Sequence, residues 1–261
     1  MPEPVLIAVP AFHAGRTLER MFERIPRDLP GSELRYAVVD DGSTDDTFEA
    51  AERVRSRLPS LTLLRHPRNR GYGGAVKTLL SHALETNAAM TVILHADGQY
   101  SPEKLPELLA PLAAGTADLV QGSRMLGGGA LAGGMPFYKY AANRLLTAVE
   151  NRAFGMRMAE FHSGYMLYSR VVLTSIPFRR LSDSFDFDLE MLVCAGILGL
   201  RIAEVAIPTI YADEVSHLKP IAYGMDVLRV VRRFRRGVYA AMLREPGAPD
   251  GPATAASGAG R

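Results

Sequence analysis

The segment His95-Ala-Asp97-Gly-Gln99-Tyr100 has the makings of a small oxygen-ligand site. A carboxylate at Asp97 and the amide of Gln99, two residues on, can present two oxygens to one Mg2+ or Mn2+ ion. Hard divalent cations take oxygen ligands and keep positions open for substrate phosphates. The plainer reading is that Asp97 only caps the turn that follows it. A second acidic segment, Asp40-Asp41-Gly42-Ser43-Thr44-Asp45, weighs against turn chemistry alone. Ser43 or Thr44 is sufficient to cap a following helix. That leaves Asp41 to accept hydrogen bonds from a nucleobase or a ribose.

These segments form a site only if the fold brings them together. Residues 5–9 are a short apolar run ending at Pro10, which reads as a buried strand. Residues 34–39 repeat the pattern and stop at Asp40; residues 61–65 and 90–94 are two further runs, the last ending at His95. Between them lie helical patterns over 17–25, over 45–57, from Gly71-Tyr-Gly-Gly through about residue 87, and from Ser101-Pro-Glu-Lys onward. Alternating strands and helices imply a mostly parallel sheet covered on both faces, an α/β fold in a single domain. Ligands in such sheets bind beyond the carboxyl ends of the strands. Those ends carry Pro10–His13, Asp40–Ser43 and His95–Gln99, so three polar loops converge on one rim.

The second half is less regular. Strands are expected over 117–121, 164–168 and 202–207, and helices over 138–154, 187–198 and 221–243. Gly-rich residues 127–134 read as a mobile loop. Residues 1–244 are expected to form the domain. Residues 245–261, rich in Gly, Ala and Pro, are expected to be a disordered tail.

Composition excludes several classes. The 261 residues are 48% hydrophobic and 22% charged, as in an ordinary globular protein. A net charge of +2 is too weak to imply a nucleic-acid partner. The one cysteine, Cys194, sits in an apolar run and reads as a small buried hydrophobe. The first residues do not resemble a signal peptide, and no run reaches the roughly 20 apolar residues that cross a bilayer. The expected location is therefore cytoplasmic, with any membrane contact peripheral and on the inner face. His66, His82 and His162 have no partner at metal-ligand spacing and read as surface or packing residues.

Taken in order, Pro-Ala-Phe-His, Asp-Asp-Gly-Ser-Thr-Asp, Asn69-Arg-Gly-Tyr-Gly-Gly-Ala, His-Ala-Asp-Gly-Gln and Gly122-Ser-Arg124 resemble family 2 glycosyltransferases of the GT-A fold. Within that family the chain is most similar to the dolichol-phosphate mannose synthase and polyprenyl-phosphate glycosyltransferase branch, over residues 4–236. The resemblance implies an inverting transfer of a hexose from a GDP- or UDP-sugar, with Mg2+ or Mn2+ as cofactor. It implies that Pro10, Ala11 and Asp41 line the nucleotide pocket, that Asp97 and Gln99 hold the metal, and that Arg124 contacts phosphate. Lys139 stands where relatives have a basic phosphate contact. Ser216, His217 and Lys219 stand in a segment that closes over the donor, and Asp186 and Asp188 lie where relatives have acids near the reacting centre. His13, Lys77 and His95 complete the donor-site candidates. Two motifs depart from the family pattern: Pro-Ala-Tyr-Asn-Glu becomes Pro-Ala-Phe-His13-Ala14, and Asp-Ala-Asp becomes His95-Ala-Asp. Imidazole is a poor Mg2+ ligand, so His95 is expected on the ribose or the site wall.

The acceptor is read from the last helix. On a wheel, Arg229, Arg232, Arg233 and Arg236 share one face, and Val227, Leu228, Val231, Phe234 and Val238 the other. An arginine-rich amphipathic helix suits an anionic membrane surface, hence a polyprenyl phosphate acceptor; a core-packed helix with a solvated basic face is the alternative. Two other functions remain open: a soluble glycosyltransferase acting on a saccharide or small-molecule hydroxyl, and a non-catalytic nucleotide-binding protein.

Overall fold

Alternating apolar residues in the first strand divide between two cores. Val5, Ile7 and Val9 pack into one cluster, and Leu6 and Ala8 into another on the opposite face of the sheet. A strand buried on both faces must lie inside a sheet covered by helices on each side. The computed structural model describes residues 3–27, 29, 32–208 and 220–245, and has this architecture.

The elements run β1 (Glu3–Ala11), α1 (Leu18–Glu23), β2 (Ser32–Asp40), α2 (Thr47–Arg57), β3 (Leu61–Arg65), α3 (Tyr72–Glu85), β4 (Met90–Ile93) and α4 (Leu105–Ala113). They continue with β5 (Leu119–Ser123), α5 (Gly129–Ala132), α6 (Phe137–Phe154), β6 (Met166–Ser169), α7 (Arg170–Ser175), α8 (Phe187–Ile197), β7 (Ile202–Ala206), α9 (Pro220–Arg235) and α10 (Val238–Arg244). The strands form one seven-stranded sheet in the order β3-β2-β1-β4-β6-β5-β7. One core holds residues of α1, α2 and α4; the other holds residues of α3, α7, α8, α9 and α10.

The pairings β1–β2, β1–β4, β2–β3 and β5–β7 are parallel, whereas β6 is antiparallel to both β4 and β5. The reversed strand decides what meets at the rim. Because β6 runs the other way, its beginning lies beside the ends of β4 and β5. The segment Glu160–Gly164, which leads into β6, is thereby delivered to the edge where Asp97 and Arg124 stand.

Three expectations change. The helix expected over 221–243 is two helices, α9 and α10, separated at Gly237, whose φ of 71° ends one helix and opens the next. Its faces also differ from the wheel. Leu228 is 60% exposed, next to Arg229 and Arg232. Arg233 turns inward, where it pairs with buried Glu190 and lies 4.9 Å over the Tyr239 ring. Glu190 also accepts bonds from Tyr239 Oη at 2.6 Å and from the Ser182 amide at 2.6 Å, so this one carboxylate joins α8, α9, α10 and the loop before α8. The Gly-rich stretch 127–134 is a short 3-10 turn followed by α5. The tail 246–261 lies outside the described residues.

Candidate functional site

The first two rim loops are tied to each other by hydrogen bonds. The Asp41 amide donates to the Ala11 carbonyl at 2.8 Å, extending the β1–β2 ladder past the strands. His13 adopts φ 52°, and its amide donates to Ser43 Oγ at 3.0 Å while its Nε2 lies 3.1 Å from Thr44 Oγ1. The Ala14 amide donates to Thr47 Oγ1 at 2.8 Å. Gly42 is positive-φ, and a Cβ there would come 2.5 Å from the Arg68 backbone, so only glycine fits. Asp40 is spent on this turn, accepting from the Ser43 amide at 2.9 Å and pairing with Arg65 at 3.1 Å.

Asp41 is buried and held differently. Its Oδ1 lies 2.6 Å from His66 Nδ1 and accepts the Arg70 amide at 2.9 Å; His66 Nε2 in turn lies 2.9 Å from Thr78 Oγ1 on α3. His66, read from the sequence as a surface or packing residue, is buried and fixes the carboxylate chosen for nucleotide recognition. No spacing rule reveals this, because the pair comes together only through the β2–β3 register.

Asp97 stands past the end of β4. Its Oδ1 accepts the Gln99 amide at 3.0 Å across Gly98, whose φ is 71°. Arg24, at the end of α1, braces this turn by donating to the Gly98 carbonyl at 3.2 Å and to Glu103 at 2.8 Å. Asp97 and Gln99 are both half-buried. Among the described residues no other hydrogen bond reaches the Asp97 carboxylate, and no cluster of three His, Cys, Asp or Glu residues forms a closed metal cage. A single open carboxylate with a neighbouring amide oxygen fits a divalent cation that draws its remaining ligands from water and phosphate.

His95 connects this loop to the second half. Its Nε2 lies 3.2 Å from Tyr72 Oη, and its ring packs edge-on to Tyr100 at 5.0 Å. Burial lowers its pKa; Asp97 and a backbone contact with Gly164 oppose this, and Arg124 adds to it. Gly164 is required here, since a Cβ would come 2.7 Å from His95 Nε2. Tyr72 donates to Asp188 Oδ2 at 2.7 Å, and Tyr168 reaches Asp188 Oδ1 at 3.4 Å. Burial pushes the Asp188 pKa up to about 7, against the opposing hydrogen bonds of Tyr72 and Tyr168. Asp186, also buried, precedes α8 and accepts from Ser182 Oγ.

Arg124 follows β5. Its amide donates to Glu160 Oε2 at 2.8 Å and its Nε to Glu160 Oε1 at 3.1 Å, while its Nη2 also reaches the His162 carbonyl at 2.7 Å. Asn143 on α6 donates to the same Glu160 Oε1 at 3.1 Å. Glu160 is fully buried, and its charge sets the direction of the guanidinium. His162 lies 3.0 Å from buried Glu150 and packs beside it.

Lys77 bonds to the Leu181 carbonyl and to Asp183 at 2.8 Å. The Gly71-Tyr-Gly-Gly turn is glycine-rich because the backbone of Ser182–Asp183 lies on it: a Cβ at Gly71 or Gly73 would come within 2.5 Å of those carbonyls. Lys139 is exposed on α6. Pro10 and Ala11 line the end of β1. Ser216, His217 and Lys219 lie outside the described residues. Cys194 is buried, its thiol pushed up to about 12 by burial, as a packing residue should be.

The Glycosyl transferase family 2 model matches residues 6–176. The chain is 30% identical to an undecaprenyl-phosphate mannosyltransferase from Micrococcus luteus, over 78% of this chain and 82% of the relative. It is 27% identical to a polyprenol monophosphomannose synthase from Mycolicibacterium smegmatis, over 77% and 76% respectively. Its fold is like that of glucosyl-3-phosphoglycerate synthase from Mycobacterium tuberculosis, solved with Mn2+, UDP-glucose and phosphoglyceric acid. That likeness has a TM-score of 0.64 at 21% identity, covering 90% of this chain and 80% of that one. The rim built from β1, β2, β4 and β5 thus sits in an α/β domain of GT-A type, and the chain belongs to glycosyl transferase family 2.

Proposed function

We propose that this glycosyltransferase moves a hexose from a nucleoside-diphosphate sugar to a polyprenyl phosphate at the inner surface of a membrane, with Mg2+ or Mn2+ at Asp97 and Gln99. The observation that carries the reading is the meeting of two distant motifs: the segment Glu160–Gly164 that holds Arg124 also bonds through the Gly164 amide to Tyr100 Oη at 2.8 Å, in the loop that carries Asp97. A carboxylate for a cation and a guanidinium for a phosphate are thereby brought to one rim.

Asp41, fixed by His66, would accept hydrogen bonds from the nucleoside. A bound divalent cation would supply Lewis-acid neutralisation of the leaving diphosphate. Arg124, oriented by Glu160, would add a preorganised positive charge for donor or acceptor phosphate. A phosphate acceptor is already ionised and needs no general base, whereas a hydroxyl acceptor needs one. Asp186 is occupied by Ser182, and Asp188 is sealed behind Tyr72 and Tyr168. Neither carboxylate is open to a hydroxyl, which favours the phosphate over the saccharide acceptor.

Calorimetry with UDP and with GDP in the presence of Mn2+, combined with transfer of labelled sugar to polyprenyl phosphate, tests the reading. Wild type should bind one nucleotide in a metal-dependent way and give a product that extracts into organic solvent. Asp97→Ala should abolish both and leave the fold intact. Unchanged metal-dependent affinity in the variant would remove the metal assignment, and a water-soluble product would promote the saccharide acceptor.

A further inference from the structure

Helix α6 turns much of its apolar surface outward. Leu146 and Phe154 pack inward on the core, but the inward face is otherwise polar: Asn143 bonds to Glu160, Asn151 bonds to the Met158 backbone in both directions at 2.8 Å, and Thr147 and Glu150 are buried. Its outward face carries large apolar residues. Phe137 is 73% exposed, Tyr138 70% and Leu145 70%, with Val149 also exposed. Tyr138, Leu145 and Val149 follow one another at helical spacing, with exposed Ala141 and Ala148 between them, so they form a continuous stripe. Water does not favour such a stripe, and an exposed apolar face of this kind marks a contact.

Charge identifies the contact. The only acid on α6 is buried Glu150, whereas Arg144 and Arg152 are exposed. The neighbouring α9 packs on α6 through Phe234 against Phe154, with ring centroids 5.2 Å apart. Its outer face adds Met225, 58% exposed, Leu228, Arg232, and Arg229 paired with Asp226 at 2.5 Å. A second copy of this face would set arginine against arginine. The residues 246–261 offer only small side chains and proline besides one Asp and one Arg, too little bulk to cover the stripe.

We infer that α6, flanked by α9, is a docking face for an anionic lipid bilayer, with Tyr138, Leu145 and Val149 entering the interface and the arginines meeting lipid headgroups. This rests on the reading of a lipid phosphate acceptor and adds a geometric reason for it. Asn143 links the docked helix through Glu160 to Arg124, so the phosphate-binding arginine is two hydrogen-bonded steps from the membrane-facing helix.

The test is co-sedimentation of the full chain with vesicles of phosphatidylcholine alone and of phosphatidylcholine mixed with phosphatidylglycerol, at low and high salt. Wild type should bind the anionic vesicles, less so in high salt. Tyr138→Glu and Leu145→Glu should each lower partitioning about tenfold, while Val171→Glu, on exposed α7, should not change it. Circular dichroism checks that each variant is folded, and light scattering reports its oligomeric state. The inference is overturned if a folded α6 variant binds like wild type, if Val171→Glu loses as much, or if wild type is a dimer that the α6 changes dissolve. Transfer to a short-chain, water-soluble polyprenyl phosphate separates the two readings. Normal transfer by an α6 variant that no longer binds vesicles supports both. Vesicle binding through α6 by a wild type that glycosylates no polyprenyl phosphate leaves the docking face standing and removes the acceptor.

Discussion

The rim of the first half and the rim of the second half are held by different kinds of bond. Around β1, β2 and β4, several acids bind backbone amides close in sequence: Asp40 accepts from Ser43, Asp45 from Thr47, and Asp97 from Gln99. Around β5, β6 and α8, buried acids reach across the chain. Glu160 holds Arg124, Glu190 holds Arg233, Asp188 holds Tyr72, and Glu204 binds the amides of Ala159 and Glu160. In the first half these carboxylates shape their own turns. In the second they fix a side chain or a backbone segment contributed by another element. The first arrangement depends on backbone conformation, and the second on buried carboxyl groups.

The contrast predicts different sensitivities, and the largest lies in the second half. Asp188 keeps its proton in the folded protein up to about pH 7, but in the unfolded chain only to the ordinary carboxylate range. Between those values the folded state binds the extra proton. Its contribution is therefore complete at low pH and is lost as pH rises towards 7, by on the order of 4 kcal/mol. Urea unfolding across this range should show a falling stability that Asp188→Asn flattens. An equally steep fall in the variant would place the pH dependence elsewhere.

Next in size is a backbone change in the first half. Gly42→Ala should cost about 3 kcal/mol, from positive φ and the collision with the Arg68 backbone. Thermal unfolding measures it, and the loss should be nearly independent of pH. A pH-dependent loss would erase the distinction between the two rims.

The smallest effect concerns activity. Glu160→Gln keeps the size of the side chain but removes the charge that aims Arg124. It should lower the transfer rate about tenfold, equivalent to roughly 1.4 kcal/mol, with little change in nucleotide affinity. A wild-type rate would mean that this acid serves stability alone.

The same contrast explains what the sequence makes legible. Asp41, Asp97 and Gln99 stand out because turn glycines and adjacent acids are local signals, and so the parallel first half can be read with its loops on one edge. His66, Tyr72 and Glu160 escape notice because their partners lie on other elements. Tyr72 stands within the Gly-Tyr-Gly-Gly turn, yet its bond to Asp188 needs the second half in place. Arg233 and Leu228 are misassigned on a wheel because a wheel treats every arginine as seeking water. One buried carboxylate, Glu190, reverses that for Arg233. The break at Gly237 is signalled by the glycine itself, a residue that a uniform helical pattern passes over.

The reversed strand β6 also bears on how the chain folds. β1, β2 and β3 pair with near neighbours in sequence, whereas β4 must bring Met90 back to Val5, β6 must return Ser169 to Met90, and β7 must bring Ile202 to Leu119. Pairings between distant residues close slowly, because loop entropy must be overcome before contacts form. The β1–β2–β3 part of the sheet should therefore form first, and the pairings of β4, β6 and β7 should close later. Glu160 and Gly164 arrive with β6, so a chain paired only through β1, β2 and β3 would have the Asp41 loop but neither the anchored arginine nor the His95 contact. Catalytic competence should then appear only at the final step of folding, a built-in check that incomplete molecules do not consume donor.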